Sequence, residues 1–89
     1  MPYIYDKPRR EVLACGEALP QDEAELNFMI CFLADGFLAS KGLTYANINK
    51  VIGAIECAKL EITRRIIAPY EDSKIAENGD VFRQVVAGL

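Results

Sequence analysis

Between Thr44 and Ala68 the apolar residues Ile48, Ile52, Ile55, Ile62 and Ile66 recur three, four or seven positions apart. That is the period of a helix burying one face. The stretch has no proline and a single glycine, and Thr44 is a good N-cap. Pro69 should end it, because the residue before a proline is pushed out of helical geometry. The pattern predicts a helix over about 45–68. An advance of about 100° per residue puts Lys59 in the middle of the apolar stripe and Glu56 at its edge. An unpaired ammonium there is costly, so Lys59 needs a carboxylate, a subunit contact or an anionic ligand.

A second helix is expected over about 22–41. Asp22 and Glu25 have the spacing of a capping box, and Gly42 is a natural stop. Its apolar residues form two stripes: Leu26, Ile30, Leu33 and Phe37 on one side, Phe28, Phe32 and Ala39 on the other, with Cys31 and Leu38 between. A helix so apolar must be buried on more than one side. One chain of 89 residues has too little mass to cover it all, which predicts self-association through the second stripe. Asp35 falls on that stripe and is this helix's counterpart to Lys59.

The flanks are less regular. Pro2 and Pro8 bracket an extended arm over 1–8, and residues 9–18 read as a short helix weakened by Gly16. Another short helix is expected over Tyr70–Glu77, stopped by Asn78-Gly79, a pair suited to positive φ. The tail Asp80–Leu89 carries Val81, Phe82, Val85 and Val86 and reads as a docking segment. The expected architecture is all-α: two long antiparallel helices with short flanking helices and extended termini, a single helical domain assembled as a homo-oligomer.

Composition narrows the function. With 52% hydrophobic and 26% charged residues the chain is globular rather than disordered. A net charge of −3 argues against a binder of duplex nucleic acid. Histidine is absent, which removes the usual acid/base residue near neutral pH and a common zinc ligand. Cys15, Cys31 and Cys57 form no CxxC pair; an odd count without a signal sequence fits a reducing cytoplasm, with Cys31 and Cys57 as small core residues. No apolar run is long enough to span a membrane. No cofactor or metal site is expected.

The sharpest chemical constellation is Lys59, Arg64, Arg65 and Tyr70, followed by the turn Asn78-Gly79-Asp80. Arginines grip phosphate oxygens in bidentate fashion, a lysine adds a point charge and a tyrosine stacks on a base. Backbone N–H groups at a glycine turn add anion contacts. The plainer reading leaves Arg64 and Arg65 solvated or paired with Glu61, and makes Pro69-Tyr70 a packing corner. Glu56, Glu61, Glu71, Asp72 and Asp80 lack the paired acidic motifs of the all-helical nucleotide pyrophosphohydrolases, and no serine or cysteine has a base-like partner, so no enzyme is expected.

The runs Tyr45–Glu61, Arg64–Asp72 and Ile75–Val81, with the opening Met1-Pro2-Tyr3-Ile4, resemble a family of small proteins of tailed phages, prophages and viral metagenomes. The resemblance covers residues 1–5 and about 25–82. It implies a viral origin and, with that, work in the host cytoplasm, but no particular activity. Small phage proteins with oligomeric helical cores include sponges that sequester cyclic-nucleotide immune signals. By that analogy the expected function is non-enzymatic capture of a small phosphorylated ligand, a cyclic oligonucleotide for instance, by Lys59, Arg64, Arg65, Tyr70, Asn78 and Asp80. The alternative is a structural or host-interacting protein without a ligand, in which the same charges set helix register.

Overall fold

The structure, a computed structural model, describes residues 3–82. It is all-α, with no strand among the described residues: α1 (Lys7–Ala14), α2 (Glu23–Lys41), α3 (Tyr45–Ile62), a π-helical turn (Thr63–Ile67) and α4 (Ala68–Asn78). The chain divides into two compact units, Met1–Val51 and Ile52–Leu89, the boundary lying within α3. The tail beyond Phe82, including Val85 and Val86, lies outside the described residues, as do Met1 and Pro2.

In the first unit α1 begins earlier than its apolar pattern suggests. Asp6 caps it by accepting the Arg9 N–H, and Pro8 sits in the first turn, where its missing N–H has no helical partner to lose. The extended arm therefore ends at Asp6. Gly16, at φ 75°, closes the helix: its N–H bonds the Leu13 carbonyl and the Glu17 N–H bonds the Val12 carbonyl, a Schellman pair that uses up two orphan acceptors.

The α2 boundaries agree with the caps read from the sequence. The Glu25 N–H donates to Asp22 Oδ1 at 2.8 Å, and Gly42 at φ 111° ends the helix. The Glu25 carboxylate does not return to its cap, however. It accepts from the Gln21 N–H at 2.8 Å and from Arg9 of α1, whose Nε lies 3.0 Å from both carboxylate oxygens. Arg9 also donates to the Leu19 carbonyl, so one guanidinium ties α1, the connecting loop and α2 together. Leu13 of α1, 2% exposed, is the one buried hydrophobic residue among those described. Thr44 Oγ1 accepts from the Asn47 N–H at 3.1 Å, and the Asn47 amide donates to the carbonyls of Lys41 and Gly42, which pins the turn between α2 and α3.

Pro69 does not end the second long helix. Ala68 is fully helical (φ −60°, ψ −47°), and helical backbone continues from α3 through the π turn into α4 as far as Gly79 at φ 88°. The physical reason lies in the five residues before Pro69. A proline inside a helix lacks one N–H and crowds the carbonyl four residues back. A π turn re-registers the ladder just there: the Ala68 N–H bonds the Thr63 carbonyl, five residues back. Thr63 Oγ1 adds a hydrogen bond to the Lys59 carbonyl at 2.8 Å.

Large apolar side chains stay exposed in both units. Leu26, Ile30, Leu33 and Phe37 of α2, and Ile48, Ile52, Ile55, Ile62 and Ile66 of α3 and the π turn, all present open surface. Phe28 and Phe32 of the second α2 stripe stack on each other with centroids 6.1 Å apart. Cys31 and Cys57, expected in a core, are exposed, as is Cys15.

Candidate ligand-binding ridge

Four of the six candidate residues fall on a short stretch of continuous helix. Lys59 lies in the last turn of α3, Arg64 and Arg65 occupy the π turn, and Tyr70 lies in the first turn of α4. Along a helix rising about 1.5 Å per residue, Lys59 and Tyr70 are roughly 16 Å apart. Asn78 closes α4 roughly 28 Å from Lys59 by the same rise, so one chain does not gather all six around a small ligand. Asp80 is engaged locally, its Oδ1 accepting the Phe82 N–H at 2.8 Å just past the Gly79 stop.

The ridge is open to solvent. Lys59 has a side chain 70% exposed, and its Nζ lies 3.8 Å from Glu56 Oε1 one turn earlier. The Arg64 guanidinium meets both Glu61 oxygens, at 3.1 and 3.2 Å. Lys74 pairs with Glu77 at 3.2 Å while its Nζ stands 5.5 Å from the centre of the Tyr70 ring. Each of these is an exposed pair within one helix, weakly held and screened by salt. Among the described residues Arg65 makes no ion pair or side-chain hydrogen bond, and neither does Asp35. The stretch offers the Lys59 ammonium and the Arg64 guanidinium, each held by a weak partner, and the Arg65 guanidinium, but an advance of about 100° per residue fans these side chains and Tyr70 around the helix. It offers no walls.

The strongest polar contact lies elsewhere and was not visible in the sequence. Arg9 and Glu25, sixteen positions apart, are the one ion pair among the described residues that joins two helices. The hydrogen bond from Arg9, then that from the Gln21 N–H, holds the Glu25 carboxyl below its ordinary value. The Glu25 hydrogen bond likewise raises Arg9. Next to this clamp an apolar cleft of about 140 Å³ is lined by Leu13, Ala14, Cys15, Met29, Phe32 and Leu33 among others. Among the described residues no group of acidic, cysteine or histidine side chains is placed to hold a metal ion, and no helix is long and apolar enough to cross a membrane.

Residues 1–81 match the model of a family described as a domain of unknown function, DUF6899. The chain belongs to that family. No curated protein and no solved structure matches it. The DUF6899 match takes in the Arg9–Glu25 clamp, both apolar stripes and all six candidate residues.

Proposed function

We propose that this DUF6899 chain is a non-enzymatic binding protein that works as a homo-oligomer of antiparallel-packed helices and captures a small phosphorylated ligand on its cationic ridge. The observation that carries the reading is the near absence of a core: Leu13 alone is buried among the described hydrophobic residues, while α2 and α3 expose continuous apolar stripes. A chain in that condition gains most by associating with copies of itself. Assembly would also supply what the ridge lacks, since neighbouring copies can wall in Lys59, Arg64, Arg65 and Tyr70 and bring one copy's Asn78–Asp80 turn near another's cations.

Analogy with small phage proteins that sequester cyclic-nucleotide immune signals suggests the ligand class, a cyclic oligonucleotide, and the resemblance to phage proteins suggests the setting, the cytoplasm of an infected host. A second reading is favoured by a specific feature: Lys59 and Arg64 already have carboxylate partners one turn away. In that reading the protein is a structural or host-interacting subunit without a small ligand.

Melting the purified protein with a panel of cyclic di- and trinucleotides separates the two. A ligand at about 100 times its Kd stabilises the native state by roughly 2.7 kcal/mol, a rise on the order of 10–20 °C for a domain of this size that Arg64→Ala and Arg65→Ala should abolish. No shift with any nucleotide leaves the second reading. A nucleotide recovered chemically altered would make the protein an enzyme and end both.

A further inference from the structure

The asparagines of the chain are Asn27, Asn47, Asn49 and Asn78, and Asn78 alone is followed by a glycine. At such a pair a backbone can modify itself, because a glycine nitrogen has no β-carbon beside it to hinder its approach to the preceding side chain. Asp35 also precedes a glycine, and the same ring closure is open to an aspartate, so the motif does not choose between the two places. The fold does. Asp35 and Gly36 lie in the middle of α2, where helical hydrogen bonds on both sides must open before the backbone can turn. Asn78 is the last residue of α4, and Gly79 has already left the helix at φ 88° and ψ 160°.

We infer that Asn78-Gly79 is a site of spontaneous deamidation gated by the C-terminal cap of α4. The Gly79 nitrogen attacks Asn78 Cγ, and the new N–Cγ bond closes a succinimide ring. The Cγ–Nδ2 bond breaks, and the side-chain amide leaves as ammonia with the proton lost from Gly79. Water then opens the ring. Attack at Cγ leaves aspartate at position 78; attack at the former backbone carbonyl leaves isoaspartate, with the chain rerouted through the side chain. In the closed cap the nitrogen is held back, because its N–H donates to the Ile75 carbonyl at 2.8 Å. The ring also needs a ψ that a helical Asn78 does not have.

That gate is light. One backbone hydrogen bond holds the glycine nitrogen, and helix ends open at far lower cost than helix middles. The last turn of α4 has no basic residue to meet its carbonyls, and Glu77 adds a carboxylate there. Among the described residues, chain neighbours aside, nothing lies within 4 Å of where a Gly79 β-carbon would be, so no other side chain braces the cap. Each conversion adds a negative charge at the helix end that disfavours one, and isoaspartate lengthens the backbone by a methylene, so the turn does not reclose as before. The inference stands apart from the ligand and the assembly proposed above, although Asn78 is one of the candidate ligand residues.

Timed peptide mapping of the full chain tests it. The purified protein is held at mildly alkaline pH, folded or in guanidinium chloride, then cleaved after lysine and arginine and weighed by mass spectrometry. The mass gain of amide exchanged for acid, together with isoaspartate, should accumulate in the segment 75–83. In the folded protein the segments holding Asn27, Asn47, Asn49 and Asp35 should stay unchanged. Denaturant should speed the reaction at Asn78 roughly fivefold, the factor to which the net contribution of one hydrogen bond corresponds. Ala76→Lys supplies the missing last-turn cation, four residues after Asp72; it should slow the folded protein about twofold and leave the rate in denaturant alone. Asn78→Gln should abolish the signal. Three outcomes overturn the inference: no change in segment 75–83 of the folded protein; equal rates folded and denatured, which would mean that the cap gates nothing; or isoaspartate at Asp35 as fast as at Asn78, which would mean that place in the helix does not choose the site.

Discussion

At the scale of single residues, the Arg9–Glu25 clamp sets how the first unit responds to pH. Glu25 is held below the ordinary 4.5 of a glutamate by its hydrogen bonds from Arg9 and Gln21. A carboxyl whose folded pKa is depressed contributes stability that is present above its unfolded value and lost as pH falls through the folded one. Arg9, raised further by its hydrogen bond to Glu25, stays charged throughout that range and adds no slope of its own. Glu25→Gln should therefore lower the melting temperature near pH 7, with the gap to the parent closing as pH falls below the ordinary range of a glutamate. Circular dichroism melts across that window check it. A gap that persists undiminished in acid would mean that Glu25 acts through packing and not through its charge. The clamp also shows a limit of sequence reading: Glu25 was legible as a capping residue, whereas its partner sixteen positions away was not, because the loop geometry that brings Arg9 to it has no local signature.

At the scale of elements, the residues that start and stop helices were legible because their physics is local. Asp22, Thr44, Gly42 and Gly79 act where the sequence puts them, as a side-chain acceptor for an orphan N–H or a positive-φ stop. Pro69 misled because the rule for the residue before proline assumes an α ladder, and the π turn at Thr63–Ile67 changes that ladder upstream. The ridge was partly legible for the same reason: Glu61–Arg64 is a one-turn neighbour, but nothing along one helix brings Asn78 to Lys59. Pro69→Ala tests the cause of the π turn. Restoring the N–H removes the reason for the extra residue, so Thr63–Ile67 should revert to α geometry and the helix should gain about 1 kcal/mol, less than the full interior cost of proline. Pro69 is exposed, so no cavity confuses the result. Amide chemical shifts over residues 63–67 read the change directly; unchanged shifts would free Pro69 of responsibility for the turn.

At the scale of the whole molecule, the proposed homo-oligomer gives the lysine that interrupts an apolar stripe a role in how specific the assembly would be. A polar residue at a single seam position lowers stability and excludes registers that would strand it away from a partner. Replacing it with an apolar residue of similar length removes the desolvation cost of the charge and the penalty on wrong registers together. Lys59→Met should then raise the melting temperature while broadening the distribution of oligomers in light scattering. The gain should grow with protein concentration, because association stabilises the native state by mass action. A variant that melts higher but keeps one sharp oligomer would show that register is set elsewhere, in the turn pinned by Asn47 or the acidic first turn of α2. A variant that melts lower would show that the ammonium has a strong partner in the assembly, since breaking a buried pair costs more than a polar seam residue normally does. The two failures point to different surfaces, so the sign of the change and the width of the distribution together locate what holds the copies in place.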